Sequence, residues 1–238
     1  MGLVFFAGMS CEYPRFPILL ALGLCASVAS AQVIATGALK RTMWEGQRNG
    51  LIAMDSLSAP GTYGMGPLEH MRGEITLVDG RSHVAHVMGD SLIVRIDPTA
   101  KAPFFVHARV SRWDEVVLPT DVQNADQLDA FLAERSGDEP YFFRLNGRFE
   151  EVDVHAWDLP SDSTFTGPAE GARYKRHFSF KGMEGEVVGV FSRHHRTVFT
   201  HHDSFIHLHY LSSDGRVMGH VDGLKFDPMK VTLQVGKN

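Results

Sequence analysis

From Glu74 to Val235 the chain is a succession of short apolar runs punctuated by turn residues, and this limits it to folds rich in β-strand. "EITLVDG", "SHVAHVM", "SLIVRID" and "PFFVHARV" come first. "YFFRLNG", "EEVDVHAW", "YKRHFSF" and "GEVVGVFS" continue the pattern, and "FIHLHYL", "VMGHVDGL" and "MKVTLQV" close it. The clearest helix is Asn124 to Glu134, "NADQLDAFLAE". Its apolar residues Leu128, Phe131 and Leu132 recur at helical spacing, and Gly137 follows as a stop signal. A second helix is expected around Leu51 to Leu57, ended by Pro60-Gly61. A helix near the start of each half, followed by several strands, predicts an α+β protein with two related halves, 32–140 and 141–238. The longest loop is 158–174, "DLPSDSTFTGPAEGARY", a candidate seam or lid.

The beginning of the chain reads differently. "FPILLALGLCASVASAQ" is an apolar run after Arg15 that ends in Ala29-Ser30-Ala31, the pattern of a secretory signal peptide over 1–31 with cleavage after Ala31. The run is short and rich in small residues for a membrane span, though an N-terminal anchor is the competing reading. Cys25 follows Leu24, a poor fit to a lipid-attachment signal, and Met9 is an alternative start. The expectation is a secreted or periplasmic protein with no membrane contact after cleavage. Both cysteines, Cys11 and Cys25, fall inside this segment, so the mature chain has no disulfide or thiolate chemistry. Any metal must be held by His, Asp and Glu. The net charge of −5 argues against a nucleic-acid partner, which would call for a basic face.

The stretch "SFIHLHYLSSDGRVMGHVDG" carries three histidines around a Ser-Asp-Gly-Arg turn. Asp214-Gly215 is a type I′ hairpin signal. With these two as the loop, Ser213 pairs with Arg216 and His209 lies directly opposite His220. Paired residues share a face, and His207 shares it by strand alternation. Three imidazoles from one patch of one hairpin make three ligands for a tetrahedral metal, with the fourth position open, as in catalytic rather than structural sites. Neutral imidazoles suit zinc, and also Fe, Ni or Cu. The competing reading is a solvated strand face. The pairs His194-His195 and His201-His202 read as loop residues.

A second stretch, "GTYGMGPLEHMRGEITLVDGRSH", places glycines at 61, 64 and 66, expected to form a tight turn with close backbone approach. It has no Gly-Lys-Ser/Thr and does not match a phosphate loop. Its acidic candidates are Glu69 and Glu74, either of which is by default a solvated strand-end carboxylate.

These two stretches together resemble the α-acetolactate decarboxylase family. That family carries a Gly-x-Phe/Tyr-Gly-x-Gly turn, then an Asp-Gly-Glu-hydrophobic strand entry and a Leu-Asp-Gly turn, with the counterpart here "GTYGMGPLEHMRGEITLVDG". It also carries His-Leu-His on one strand and Gly-His-Val on the next, matched by "HLHYLSSDGRVMGHV". "PFFVHARV" and "YFFRLNGRF" resemble two further strands, and the similarity spans about residues 44 to 230. The resemblance implies two similar α/β halves with mixed β-sheets, and a homodimer. It implies zinc on His207, His209 and His220, and conversion of (S)-2-acetolactate to (R)-acetoin and carbon dioxide. Glu74 matches the family's first active-site glutamate.

Two positions depart from the pattern. His155 stands where the family has an arginine facing the substrate, and a histidine does not reproduce a fixed bidentate cation. Arg144 and Arg148 are the nearby candidates to replace it. If His155 faces the pocket, it is a candidate fourth ligand or replacement acid, since its ordinary pKa lies close to working pH. The family's second glutamate, past the metal hairpin, has no counterpart after Phe226, where Asp227 is the available carboxylate. The alternative function is a divergent metal protein of this fold that acts on a different 2-hydroxy-3-oxo acid or serves as a ligand-binding protein.

Overall fold

The computed structural model describes residues 1–2, 32–200 and 204–237, so the expected signal peptide, its first two residues apart, lies outside the described residues. The chain runs through β1 (Ile34–Thr36), α1 (Leu39–Trp44), β2 (Ile52–Ala53), β3 (Thr62–Pro67), β4 (Glu74–Val78), β5 (Arg81–Met88), β6 (Ser91–Ile96), β7 (Lys101–Ala102), β8 (Phe105–Arg109) and β9 (Arg112–Val116). It continues with α2 (Ala125–Arg135), β10 (Tyr141–Trp157), α3 (Pro168–Gly171), β11 (Lys175–Phe191), β12 (Ile206–Ser212) and β13 (Met218–Lys237). This is the α+β composition expected. No helix among the described residues is long and apolar enough to cross a membrane.

One sheet has the order β1-β8-β3-β4-β5-β6, and a second has the order β10-β11-β12-β13-β9. β10 also pairs with β13, which closes the second set of ladders into a ring. β9 pairs with β13 and the residues of α2 pack with the second sheet, so that sheet gathers elements from both sides of residue 140.

α2 forms where the apolar spacing places it. Asn124 caps it by accepting from the Gln127 amide at 2.9 Å, and Leu128 and Leu132 are buried against Phe143, Leu145 and Phe149. The expected helix at Leu51 to Leu57 is instead the short strand β2 and a single 3₁₀ turn, Met54–Leu57. Met54 is the one buried residue of that turn, so its apolar pattern serves one contact rather than a helix face.

The second sheet has fewer and longer strands than the punctuation suggests. "YFFRLNG" and "EEVDVHAW" are one strand, β10, and the segments at 174–180 and 185–192 join in β11. Their breakers act as kinks. The β10–β11 ladder skips only Glu150 opposite Gly182, whose φ is +64°. Phe149 and Val152 lie in the same core cluster, although three residues apart on a regular strand they would face opposite ways. This change of face matters downstream, because it turns His155, opposite its ladder partner His220, away from the core that holds Phe149 and Val154.

The segment at Gly61, Gly64 and Gly66 is also corrected. Only Gly61 has a positive φ, and β3 is a fully buried strand. The expected close approach is real: a Cβ at Gly64 would strike the Phe105 ring, and one at Gly66 the Phe104 carbonyl. The glycines let β3 and β8 pass at close range rather than form a turn.

One face of the second sheet is filled with α2. The other turns Val188, Val190 and Phe142 toward Tyr63, Met65, Val106 and Ala108 of the first sheet. The loop at 158–174 contains α3 and folds back so that Phe165 stacks on Trp157 at 5.6 Å. Arg48 fixes it by donating to the Phe165 carbonyl at 2.5 Å and to Thr164 Oγ1 at 3.0 Å.

Candidate metal centre

The β12–β13 hairpin has the register expected, reached through a different loop. His209 pairs with His220, Tyr210 with Gly219, and Leu211 with Met218. The loop is not the two-residue Asp214-Gly215 turn. Ser212 donates to the Val217 carbonyl at 2.8 Å, which leaves a loop of Ser213 to Arg216 with Gly215 at φ +70°. Ser212 Oγ accepts from the amides of Arg216 and Val217, at 3.1 and 2.9 Å, and donates to Asp214 at 2.7 Å. Opening the loop by one residue on each strand leaves every other pair unchanged, so His209 still meets His220.

Alternation then separates the residues of β12. Leu208 and Tyr210 enter the core shared with α2. His207 and His209 point the other way, between the sheets, and are buried together with His220. The solvated-face reading is thereby excluded. The ring centroids of His207 and His209 lie 5.1 Å apart, those of His207 and His220 4.8 Å, and those of His209 and His220 5.5 Å. Each ring offers a nitrogen within 4.8 Å of the others.

The hydrogen bonds fit a metal-binding role. His207 Nδ1 donates to the Phe199 carbonyl at 2.8 Å, which leaves Nε2 with its lone pair, 3.1 Å from His220 Nδ1. His209 Nδ1 lies 2.9 Å from Thr76 Oγ1 of the first sheet. Its Nε2 is fully buried and has no hydrogen-bond partner among the described residues, with a Glu74 oxygen 3.7 Å away. An unpaired polar atom in such a place is costly unless something coordinates it. Burial, helped by the neighbouring histidines, also holds the His209 pKa well below its ordinary value, so the ring stays neutral as a ligand must be. The three residues fit a metal ion by donor type, separation and protonation.

Glu74 opens β4 and is 2% exposed. Burial drives its pKa well above the ordinary carboxylate value, so it tends to keep its proton. Its oxygens lie 3.7 Å from His209 Nε2 and 4.0 Å from His155 Nε2. His155 does face this site, opposite His220, with ring centroids 4.6 Å apart. Its Nδ1 bonds Asp222 at 2.7 Å, and the other Asp222 oxygen bonds His177 Nδ1 at 2.9 Å. Burial lowers the His155 pKa to about 4, against the opposing pull of Asp222. A charged acid near neutral pH is therefore not what this environment makes of His155; it is a neutral ring. Together with His220 and Asp222 it also forms a second set of ligand atoms within 4.8 Å.

These groups border a cavity of about 440 Å³, within the usual size for a small-molecule site. Glu74, His155, His207 and His220 supply its polar wall, and Met43, Phe104 and Trp157 are among its apolar ones.

Other sequence candidates lie elsewhere. Glu69 accepts from the Gly50 amide at 3.2 Å. Arg144 is held by Gln234 and Glu186, at 2.7 and 3.3 Å, and Arg148 faces Glu184 at 3.6 Å; neither lines the cavity. Asp227 accepts from the Met229 amide in a local turn. His194 faces Asp138 and His195 bonds Ser192, while His201 and His202 lie outside the described residues. Sequence reasoning missed Thr76, Asp222 and Lys175. Thr76 and Asp222 each stand two residues beyond a candidate, Glu74 and His220, so alternation alone could have found them. Lys175 is brought in by pairing with Trp157, which no local signal announces.

Comparison with known proteins gives the family and the fold. The family model for alpha-acetolactate decarboxylase matches residues 36–238. The chain is 24% identical over 185 residues to the alpha-acetolactate decarboxylase of Brevibacillus brevis, covering 76% of this chain and 62% of that protein. It is 26% identical over 211 residues to that of Lactococcus lactis subsp. cremoris, covering 84% of this chain and 80% of the relative. The fold matches the crystal structure of alpha-acetolactate decarboxylase from Bacillus subtilis at a TM-score of 0.71 and 15% identity, over 87% of this chain and 86% of that one. A Staphylococcus aureus protein of unknown function, similar to alpha-acetolactate decarboxylase, matches at 0.71 with 18% identity, over 87% and 85%. The chain belongs to the alpha-acetolactate decarboxylase family, a family of carboxy-lyases.

Proposed function

We propose that the chain is an exported, zinc-dependent enzyme that converts (S)-2-acetolactate to (R)-acetoin and carbon dioxide. The observation that carries this reading is the convergence of three buried imidazoles, His207, His209 and His220, with the buried carboxyl of Glu74 at one cavity. Three neutral nitrogen donors without a thiolate suit zinc. When bound, zinc would supply a Lewis acid for the carbonyl and hydroxyl oxygens of the substrate.

The chain's own groups handle the proton. Loss of carbon dioxide breaks the bond to the carboxylate carbon and leaves its electron pair on the carbon bearing the hydroxyl. One proton delivered there completes acetoin. Glu74 keeps a proton because burial disfavours its charge, and it stands beside His209 at the cavity wall. Delivery from one fixed side chain favours one face of a planar carbon, and hence one enantiomer. His155 Nε2 stands 4.0 Å from Glu74, and Asp222 orients the His155 ring through Nδ1. The apolar walls suit the two methyl groups of acetolactate.

Export rests on the apolar run and Ala29-Ser30-Ala31 at the start of the chain, which fit cleavage after Ala31 and a secreted or periplasmic location. A homodimer follows from the family resemblance alone. The test is to assay the purified protein for acetoin from racemic acetolactate, with and without a chelator. Chelator-sensitive acetoin is expected. No acetoin from folded, metal-loaded protein would overturn the reading in favour of a different 2-hydroxy-3-oxo acid or a ligand-binding role.

A further inference from the structure

Lys175 opens β11 directly opposite Trp157. The next pair on the same face of that ladder is His155 with His177, so Lys175 stands on the side that carries His155. It lines the cavity together with Glu74, His155, His207 and His220, and among the described residues it is the one Lys or Arg on that wall. Its ammonium lies 5.2 Å from the centre of the Trp157 ring, a contact that orients the charge.

Several cations on and beside β10, β11 and β13 are paired with carboxylates. Arg144, Arg148, Arg173, Arg176, Lys181 and Lys225 each have a carboxylate within 4.0 Å. Lys175 is half-buried, yet among the described residues no carboxylate lies within ion-pair distance of it. The nearest carboxylates it feels, Asp222 and Glu74, are engaged otherwise. Asp222 is shared between His155 and His177, and Glu74 is buried against His209 and His155. His155 Nδ1 is already committed to Asp222. A cation withdrawn from water without a partner is costly, and an anionic ligand relieves that cost.

We propose that Lys175 is the side chain that binds the carboxylate of the substrate. This rests on the reading of the cavity as the site of a 2-hydroxy-3-oxo acid. In that role Lys175 sets affinity and holds the departing carboxylate at one end of the cavity, with the carbonyl and hydroxyl oxygens toward the three histidines.

The test compares two ligands by calorimetry on the zinc-loaded protein, so that no turnover is needed. One is 2,3-dihydroxy-2-methylbutanoate, which keeps the carboxylate. The other is 2-methylbutane-2,3-diol, which lacks it. Lys175→Met should weaken the carboxylate ligand about 10- to 100-fold, the usual range for a lost charge-assisted hydrogen bond, and leave the diol unchanged within about twofold. Lys175→Arg should restore most of the loss. Lys175→Gln, with zinc content and melting temperature as checks of folding, serves where the methionine variant does not fold. Equal losses for both ligands, or wild-type protein that does not prefer the carboxylate, overturn the proposal. Acetoin formation with an unchanged KM in Lys175→Met overturns it while leaving the decarboxylase reading intact. Lys175-dependent carboxylate binding by a wild-type protein that makes no acetoin supports the proposal and sinks the decarboxylase reading.

Discussion

The hydroxyl of Thr76 lies 2.9 Å from His209 Nδ1, and this contact ties β4 of the first sheet to a ligand candidate on β12 of the second. Both residues are fully buried. The bond fixes the ring so that Nε2 turns toward Glu74 and the other two histidines.

Replacing Thr76 by Val keeps the shape and removes the hydroxyl. Zinc affinity should fall about 10- to 100-fold, as for other outer partners of metal-binding histidines. Competition with a chromophoric chelator measures it, and Thr76→Ser should behave as wild type. An unchanged affinity in Thr76→Val would mean that Thr76 only packs against the ring.

His209→Ala removes the central candidate ligand. Wild-type protein should melt higher with zinc than with chelator, because bound metal stabilises only the folded chain. At zinc about a thousandfold above its dissociation constant the gain is about 4 kcal/mol. In His209→Ala that gap should vanish. A variant with full zinc content and an intact gap would refute the three-histidine site.

Glu74→Gln retains the volume and one hydrogen-bonding oxygen but cannot carry the proton. Turnover should fall about 10²- to 10⁴-fold, with zinc content intact. Equal activity would show that Glu74 only fills space between the sheets.

The sequence marks the hairpin histidines because their geometry is local. Alternation and pairing place His207, His209 and His220 on one face, and either a two- or a four-residue loop gives the same register. Glu74 and His155 are visible through resemblance, but their surroundings are not. What makes Glu74 acidic chemistry rather than surface charge is the second sheet laid over it, and nothing near Glu74 in the chain reports that. His155 reaches the site only because β10 kinks opposite Gly182, a residue 27 positions away in sequence whose glycine reads locally as a strand break. Lys175 is the extreme case: it belongs to the cavity through its partner Trp157 and through the folding of the loop that precedes it.

Burial makes a last prediction about pH. The His155 pKa falls from an ordinary 6.5 to about 4. Between these values the unfolded chain binds a proton at His155 that the native chain does not, so stability drops as pH falls from about 6.5 toward 4 and is retained above. The shift corresponds to at most about 3 kcal/mol. Glu74 acts with the opposite sign. Its raised pKa means that the native chain holds a proton the unfolded chain has lost, so its contribution is present at low pH and fades as pH rises through the folded value. The two must therefore be separated. Chelated Glu74→Gln protein silences the glutamate, and urea melts of it from pH 4 to 7 should show stability rising with pH. Adding His155→Gln, which leaves an amide able to bond Asp222, should flatten that rise by roughly 1–3 kcal/mol across the window, with the remaining slope belonging to His209 and other groups. Parallel curves for the two proteins would mean that His155 titrates normally in the native chain, and that water or charge reaches it despite its place between Asp222 and Glu74.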